Sequence, residues 1–532
     1  MQKIIQNKYI LAFIGALLLY ISWPPMSFPF LIFIALVPVL LIEDSFHQQP
    51  RKYGSAKLLG YLYILFLIWN ILTTWWVFNA AKEAVFAITL NSLFMCIPIL
   101  LFHKTRKKYS TTIAYISLVC YWLAFEHLHL RWDISWPWLT LGNVFAKWPS
   151  VIQWYEYTGV MGGTVWIWVV NILVAKLVLD VTKSDKVETQ NYFKRSATID
   201  IVILIPIIVS LIIYKNYNQS DKHIEVVIVQ PNLDPYTEKF NGLPADEQLS
   251  RMLSLAEKSI DSNTKVLMLP ETAITSFADE ALLDMNEEVK MLQQFLQKYP
   301  NLEVLTGIST YKIYNPNEEP STTARLQPNN VYVDYYNTAI YITNNKPIQI
   351  YHKSKLVPGV EKMPFPVLLK FLEKYAIDNG GISGSLGVDD EPSILKGTVA
   401  NAAPVICYES IYGDYVRQYI QKGADYIGII TNDGWWGNTD GYKQHLDYGT
   451  IRAIETRRSI ARCANTGISA LIDEKGDIYD QTEWWKPCIL KGSITINNKI
   501  TFYTIAGDYI SILGVLIAFV FLSLTLIKKA KG

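Results

Sequence analysis

Five cysteines lie along the 532 residues, and one of them stands where a nucleophile would be presented. In Ala403-Pro-Val-Ile-Cys-Tyr-Glu-Ser410 a short β-branched run, Val405 and Ile406, delivers Cys407 to a strand end, and Tyr408, Glu409 and Ser410 follow at once. A strand that stops on a thiol and turns polar can present a catalytic group. Alone, the octapeptide reads more simply as a buried cysteine, since free Cys is among the most buried residue types. Two other stretches change that reading. In Leu267-Met-Leu-Pro-Glu-Thr272 an apolar strand ends on Glu271, which by itself is an acidic charge at a helix N-terminus. Tyr351-His-Lys-Ser-Lys-Leu-Val-Pro-Gly-Val-Glu361 carries Lys353, Lys355 and Glu361 on what reads as a loop, by itself a solvated basic one. Together the three stretches supply a base, a cation and a thiol. Thiol acyl transfer needs that set: a base for the thiol proton, a cation for thiolate and oxyanion, and the nucleophile.

The other cysteines point elsewhere. Cys96 and Cys120 sit in apolar runs, Cys463 follows Arg462 in a strand, and Cys488 closes Trp484-Trp-Lys-Pro-Cys488, which reads as a loop. An odd count without regular spacing argues against a disulfide framework or a zinc site. No phosphate-binding loop is visible either, so no cofactor is expected. The formal net charge of +1 gives no reason to expect nucleic acid as a partner.

The elements that must position these groups fall into two kinds. Long apolar runs crowd residues 9–214 and recur at 509–527, and the segment between reads as a globular domain. A bilayer span takes about 20 mostly apolar residues. Eight candidates are found, at 9–23, 28–43, 59–79, 83–102, 111–128, 163–182, 199–214 and 509–527, the first two meeting in a tight Trp23-Pro24-Pro25 hairpin. Positive charge orients them. Lys3 and Lys8, then Arg51, Lys52 and Lys57, then Lys104, Arg106, Lys107 and Lys108, then Lys183, Lys186, Lys194 and Arg195, then Lys528, Lys529 and Lys531 all fall on one side if there are eight spans. That side is cytoplasmic, both termini with it, and residues 215–508 face outward. The fifth–sixth link is rich in Trp (Trp132, Trp136, Trp138, Trp148, Trp154), as an interfacial aromatic belt would be. Ionisable groups within the runs are few, with Glu126, His127 and Lys176 near run ends, which argues against a transporter.

The outer segment alternates strand-length apolar runs (Ile224–Val229, Val266–Leu269, Val304–Leu305, Thr338–Ile342, Val405–Ile406, Tyr426–Ile430, Ile468–Ile472) with helical patterns (Ala245–Ile260, Glu280–Lys298, Tyr412–Lys422, Tyr448–Arg458). This is an α/β or layered α+β domain. Residues 315–330 and the Gly-rich 379–388 read as loops. The expected division is a helical bundle at 1–217, a catalytic domain at 218–505, and a last span with a cytoplasmic tail at 506–532.

In order, Pro-Glu at a strand end, a Lys three residues before Leu-Val-Pro, and Cys-Tyr-Glu resemble the Glu-Lys-Cys triad of the nitrilase superfamily. With helices before and after the domain, the whole chain resembles the apolipoprotein N-acyltransferase family, the superfamily's membrane-bound members. Gln230-Pro-Asn-Leu-Asp234, Thr431-Asn-Asp-Gly-Trp-Trp-Gly437 with Gln444, His445, Arg452, Ala453, Glu455 and Arg458, and Ala464-Asn-Thr-Gly-Ile-Ser469 also resemble family motifs. The resemblance implies Glu271 as general base, Lys353 as cationic stabiliser and Cys407 as nucleophile, supported by Glu361, Glu409 and Tyr408. It implies substrate contacts at Phe240, Trp435 and Trp436, and leaves Lys355 a solvated charge. Two positions depart from the family pattern: Gly359-Val360 stands where Phe-Gly is usual, and Phe240 where Trp is. The fold implied is a nitrilase-like αββα sandwich on an eight-helix bundle, in a bacterial inner membrane. The activity implied is transfer of a fatty acyl chain from a phospholipid, phosphatidylethanolamine by expectation, through a cysteine thioester to the terminal amine of a diacylglyceryl apolipoprotein. The rival is a membrane-tethered amidohydrolase of small amides, against which the apolar Met363–Leu368 stretch speaks for a lipid-contacting loop.

Overall fold

A helix that is apolar on every side must be buried or span a membrane, and the helices of the first part of the chain are of that kind. The computed structural model describes residues 6–48, 54–183, 189–240, 242–365 and 385–527. Lys3, Arg51, Lys52, Lys186, Lys528, Lys529 and Lys531, Pro366–Leu368 and most of the 379–388 loop lie outside the described residues. The chain divides into two compact units, one of Met1–Phe78, Lys82–Asn216 and Ala506–Gly532, the other of Asn79–Ala81 and Tyr217–Ile505.

The first unit holds α1 (Lys8–Ser22), α2 (Val37–Gln48), α3 (Gly54–Thr74), α4 (Ala84–Arg106), α5 (Thr111–His129), α6 (Tyr155–Lys183), α7 (Thr189–Asn216) and the C-terminal helix Tyr509–Ile527. Among the described residues six helices are long and apolar enough to cross a membrane, and α1 is a shorter apolar one. Helix α6 begins at Tyr155, ahead of the expected span, and bends at Gly159, whose φ of 60° is open to glycine without strain. The Trp-rich link is not a uniform belt. It folds into short 3₁₀ turns, in which Trp138 is 1% exposed while Trp148 is 40% exposed. Nor is the unit free of buried charge. Glu43 on α2 accepts from His103 and Arg106 on α4, and Glu126 on α5 is buried.

The second unit is built on fourteen strands among the described residues. They are β1 (His223–Gln230), β2 (Thr264–Met268), β3 (Ile274–Asp279), β4 (Glu303–Ile313), β5 (Arg325–Leu326), β6 (Tyr332–Ile342), β7 (Gln349–His352), β8 (Leu395–Lys396), β9 (Asn401–Ile406), β10 (Tyr426–Thr431), β11 (Ile460–Ala464), β12 (Ala470–Ile472), β13 (Ile478–Gln481) and β14 (Cys488–Thr495). One sheet runs β14-β1-β2-β4-β6-β5, with β3 on β4 and β7 on β6; the other runs β13-β12-β11-β10-β9-β8. Each has a parallel centre, β1-β2-β4 and β9-β10-β11.

The sheets face one another. Glycines at the contact let them close: a Cβ on Gly428 of β10 would strike Leu305 of β4, and one on Gly492 of β14 would strike Leu471 of β12. Helices α8 (Ala245–Ala256) and α9 (Glu287–Lys298) cover the first sheet, with Leu249, Met252, Val289 and Leu292 in one core with Val227, Leu267 and Val304. Helices α10 (Gly413–Gln421) and α11 (Asp440–Thr456) belong to the second, Gly449 of α11 lying against Ile472 and Ile460. The layers are helix, sheet, sheet, helix.

Four expectations are corrected. The helix expected over Glu280–Lys298 is split, because Asn286 caps Val289 N–H and starts α9 after a 3₁₀ turn. Helix α11 starts at Asp440, capped by Thr439, rather than at Tyr448. The supposed loop at 351–361 begins as a strand, since Tyr351 and His352 pair with Ala339 and Thr338 of β6. Cys488 opens β14 rather than lying in a loop.

Candidate active site

Three strand ends converge. Strand β2 ends at Met268 and the chain reaches Glu271 three residues on; β7 ends at His352, directly before Lys353; β9 ends at Ile406, directly before Cys407. Lys353 Nζ donates to Glu271 Oε1 at 3.0 Å and to Glu361 Oε1 at 2.7 Å. The lysine is 1% exposed. Burial alone would lower its ammonium; the carboxylates of Glu271 and Glu361 outweigh burial and hold it well above the ordinary lysine value.

Asn337 of β6 completes the arrangement. Its Nδ2 donates to Glu271 Oε1 at 2.8 Å and to Glu361 Oε1 at 3.3 Å, and its carbonyl accepts the Lys353 N–H at 2.8 Å. Glu361 Oε2 accepts from Val357 N–H at 2.8 Å. Glu271 Oε1 therefore receives two donors, while Oε2 receives none among the described residues. That free oxygen can take a proton. Behind it, the buried Lys239 donates to the Glu271 carbonyl at 2.7 Å, and burial pushes the Lys239 ammonium down to about 8.

Cys407 is 9% exposed and has φ of +51°. For a residue with a Cβ this costs on the order of 1–3 kcal/mol and persists only where the surroundings enforce it. Burial first, and then the Glu271 charge, push its thiol well up, against the pull of Lys353. The resting group is thus a thiol, and Glu271 is the nearby carboxylate whose charge it feels.

Two buried side chains hold the turn. Glu409 is fully buried and accepts Ile406 N–H at 2.8 Å through Oε2, and Ser354 N–H at 2.7 Å and Tyr351 O–H at 2.5 Å through Oε1. It fastens the lysine segment to the cysteine turn. Burial raises its carboxyl to about 7 even with these donors. On the other side His445 of α11 lies between Asp433 Oδ1, 2.9 Å from Nδ1, and the pair Ser410 Oγ and Cys407 O, 2.9 and 3.1 Å from Nε2. Asp433 also accepts from Arg462 at 2.5 Å. Burial would raise Asp433, but Arg462 and His445 outweigh it and hold the carboxyl at about 2, while burial pushes the His445 imidazolium down.

The remaining candidates are placed as follows. Tyr408 is buried edge-on to Tyr412 at 5.4 Å. Phe240 stacks on Trp435 at 5.8 Å, and Tyr236 meets the same indole edge-on at 5.3 Å. Trp436 does not join that stack but packs edge-on against His445 at 5.5 Å. Lys355 is not a solvated charge: its ammonium lies 4.9 Å from the centre of the Tyr415 ring and 5.7 Å from that of Tyr412. Asn337, Lys239, Ser410, Asp433, His445 and Arg462 had no role assigned from sequence. A signal existed for Arg462, a charge in the middle of the apolar run Ile-Ala-Arg-Cys-Ala, which demands a buried partner. Asn337 within the apolar strand β6 is the same kind of signal.

The chain is similar to known proteins over nearly its whole length. The family model described as apolipoprotein N-acyltransferase N-terminal domain matches residues 15–173, and the carbon-nitrogen hydrolase model matches residues 228–498. An apolipoprotein N-acyltransferase of Chlorobaculum tepidum is 30% identical over 529 residues, covering 96% of this chain and 95% of that protein. One of Geobacter metallireducens is 23% identical, covering 94% of this chain and 92% of that protein. Among solved structures, Saccharomyces cerevisiae Nit3, a member of branch 10 of the nitrilase superfamily, covers 52% of this chain and 93% of its own at 14% identity and a TM-score of 0.37.

Proposed function

The chain belongs to the apolipoprotein N-acyltransferase family, and from that premise we propose that Cys407, Glu271 and Lys353 carry the acyl transfer, with a membrane phospholipid as donor. The protein is an acyltransferase that acts on lipoproteins and is associated with the membrane. Glu271 Oε2 takes the Cys407 proton as Sγ attacks the ester carbonyl carbon, and Lys353 balances the oxyanion. Collapse breaks the acyl C–O bond, the lysophospholipid oxygen takes the proton back from Glu271, and a thioester remains on Cys407. In the second half the terminal amine of the diacylglyceryl cysteine attacks the thioester and gives a proton to Glu271. The C–S bond breaks, an amide is left on the acceptor, and the thiolate regains the proton.

The observation that carries this reading is the half-satisfied carboxylate: Glu271 Oε1 takes donors from Lys353 and Asn337, and Oε2 is kept free. Phosphatidylethanolamine is the donor we favour. The stacked Phe240 and Trp435 and the 39% exposed Phe365 support contact with an acyl chain. An amidohydrolase of small amides would have no use for such apolar surfaces. We further read eight spans, with 1–217 as the bundle, 218–505 as the catalytic domain outside a bacterial inner membrane, and 506–532 as the last span with a cytoplasmic tail. The charged links support this orientation.

The test is incubation with acyl-labelled phosphatidylethanolamine, then hydroxylamine, which cleaves thioesters. Hydroxylamine-sensitive label is expected on the wild type and on Cys463→Ala and Cys488→Ala, and on none of the Cys407→Ala protein. Label that survives in Cys407→Ala removes the assignment.

A further inference from the structure

Asp433, His445, Ser410 and Arg462 are all fully buried, and they come from four different elements. Asp433 follows β10, His445 rides on α11, Arg462 sits in β11, and Ser410 belongs to the turn that Cys407 opens. Buried charges are expensive to maintain unless paired and hydrogen-bonded, and here each has a partner: Arg462 and Thr431 donate to Asp433, and His445 faces it through Nδ1. The connectivity is that of a Ser–His–Asp relay. Ser410 is no nucleophile, however, since it is 0% exposed and its hydroxyl lies 2.8 Å from the Cys407 carbonyl.

Proton bookkeeping shows where the chain of contacts ends. A carboxylate only accepts, so the Nδ1 hydrogen of His445 belongs to Asp433. Arg462 then spends its hydrogen on Asp433 Oδ2 rather than on the ring. With Nδ1 fixed, Nε2 is aimed at Ser410 Oγ and Cys407 O. A neutral ring accepts the Ser410 hydroxyl; a protonated one donates to the Cys407 carbonyl. In either state the imidazole ties α11 to the turn that Cys407 opens, through Ser410 or through the carbonyl, and Cys407 itself has a φ of +51° that its surroundings must enforce. Trp436 packs edge-on against the ring at 5.5 Å, so the same imidazole joins the cysteine turn to the tryptophan segment.

We propose that His445 is a positioning residue for acyl transfer: held by Asp433, it fixes the turn that Cys407 opens and Ser410 closes, and with it the direction of Sγ. The proposal rests on Cys407 being the nucleophile. A misplacement of about 1 Å at a reacting centre can cost on the order of a hundredfold in rate, so loss of the tether appears as slower acylation at unchanged donor affinity.

Two replacements separate positioning from mere filling of space. The Gln amide reaches where Nε2 was, toward Ser410 and the Cys407 carbonyl. The Asn amide reaches only where Nδ1 was, toward Asp433. Single-turnover acylation of full-length protein in detergent micelles by acyl-labelled phosphatidylethanolamine is measured for His445→Gln, His445→Asn and His445→Ala, with thermal unfolding followed in parallel. We expect Asn and Ala to acylate roughly 10- to 100-fold more slowly, with half-saturating donor within about twofold of wild type, and Gln to recover to within about fivefold. Asn equal to or better than Gln, Gln no better than Ala, or all three at the wild-type rate overturns the proposal. Label surviving in Cys407→Ala instead removes the nucleophile assignment, and the two failures are thereby distinct.

Discussion

Glu126 in the helical unit and Glu271 in the sheet unit are both buried carboxylates, and their hydrogen bonds separate structure from chemistry. Glu126 Oε1 accepts from Trp122 Nε1 at 3.0 Å and Leu141 N–H at 2.9 Å, and Oε2 accepts from Thr164 at 2.7 Å. Both oxygens are occupied by neutral donors, and the group joins α5, the following link and α6. Glu271 has both its donors on one oxygen, one of them a lysine ammonium, and keeps the other open. A saturated carboxylate is a fastener. A half-saturated one beside a cation and a thiol has an oxygen open to a proton, as the proposed role of Glu271 requires. Glu409 repeats the lesson within the site itself: it lies two residues from Cys407, yet with Ile406, Ser354 and Tyr351 donating to it, it fastens rather than reacts.

That contrast can be broken by exchange of the two glutamates for glutamine. Glu271→Gln leaves no group to take the thiol proton, and acylation is expected to fall 10²- to 10⁴-fold, the usual range for general-base loss. Lys353→Met removes the cation and is expected to cost roughly 10²- to 10³-fold in the same single-turnover assay. His352 sharpens the comparison without touching the reaction. It is held between Asp389 and Glu280, each at 2.7 Å, which outweigh burial and raise it from 6.5 to about 9. Because the folded value exceeds the unfolded one, this stability is fully present below pH 6.5 and is lost as pH rises through about 9, a contribution of about 3 kcal/mol. Thermal unfolding should decline across that window, and His352→Gln should flatten the decline. Glu126→Gln should acylate within about twofold of wild type but unfold more easily, since a buried donor left unpartnered costs about 1–3 kcal/mol. Lys355→Ala should show the smallest effect, because a cation over a ring is worth about 0.5–1 kcal/mol at a partly exposed site. Activity within a few-fold of wild type is expected there.

Cys407 and Glu271 were legible in sequence as candidates because each follows a strand, and strands announce themselves as short apolar runs ending in a polar residue. Val405-Ile406 before Cys407 and Val266–Leu269 before Glu271 are of this kind. The long apolar helices were legible for the same reason, through composition alone. What escaped reading depends on contacts distant in sequence. Asn337 bridges Glu271 and Glu361 from 66 and 24 residues away, and His445 reaches Cys407 from 38 residues away. No local pattern encodes such meetings. The Tyr351–Glu361 stretch misled through its charge: Lys353 and Lys355 look alike in sequence, while in the fold one is buried between two carboxylates and the other lies over two tyrosine rings. Short strands such as β7 and β8 offer too few residues for alternation to appear.

The central claim, that Cys407 carries the acyl group, is tested most directly by mass spectrometry of the intact protein and its Cys407 peptide after exposure to phosphatidylethanolamine of a single acyl composition. The account predicts one added acyl group, located on Cys407, removed by hydroxylamine, and discharged when a diacylglyceryl peptide with a free terminal amine is supplied. An acyl group found on any other residue, or acyl transfer to the peptide by protein that never carries one, contradicts it.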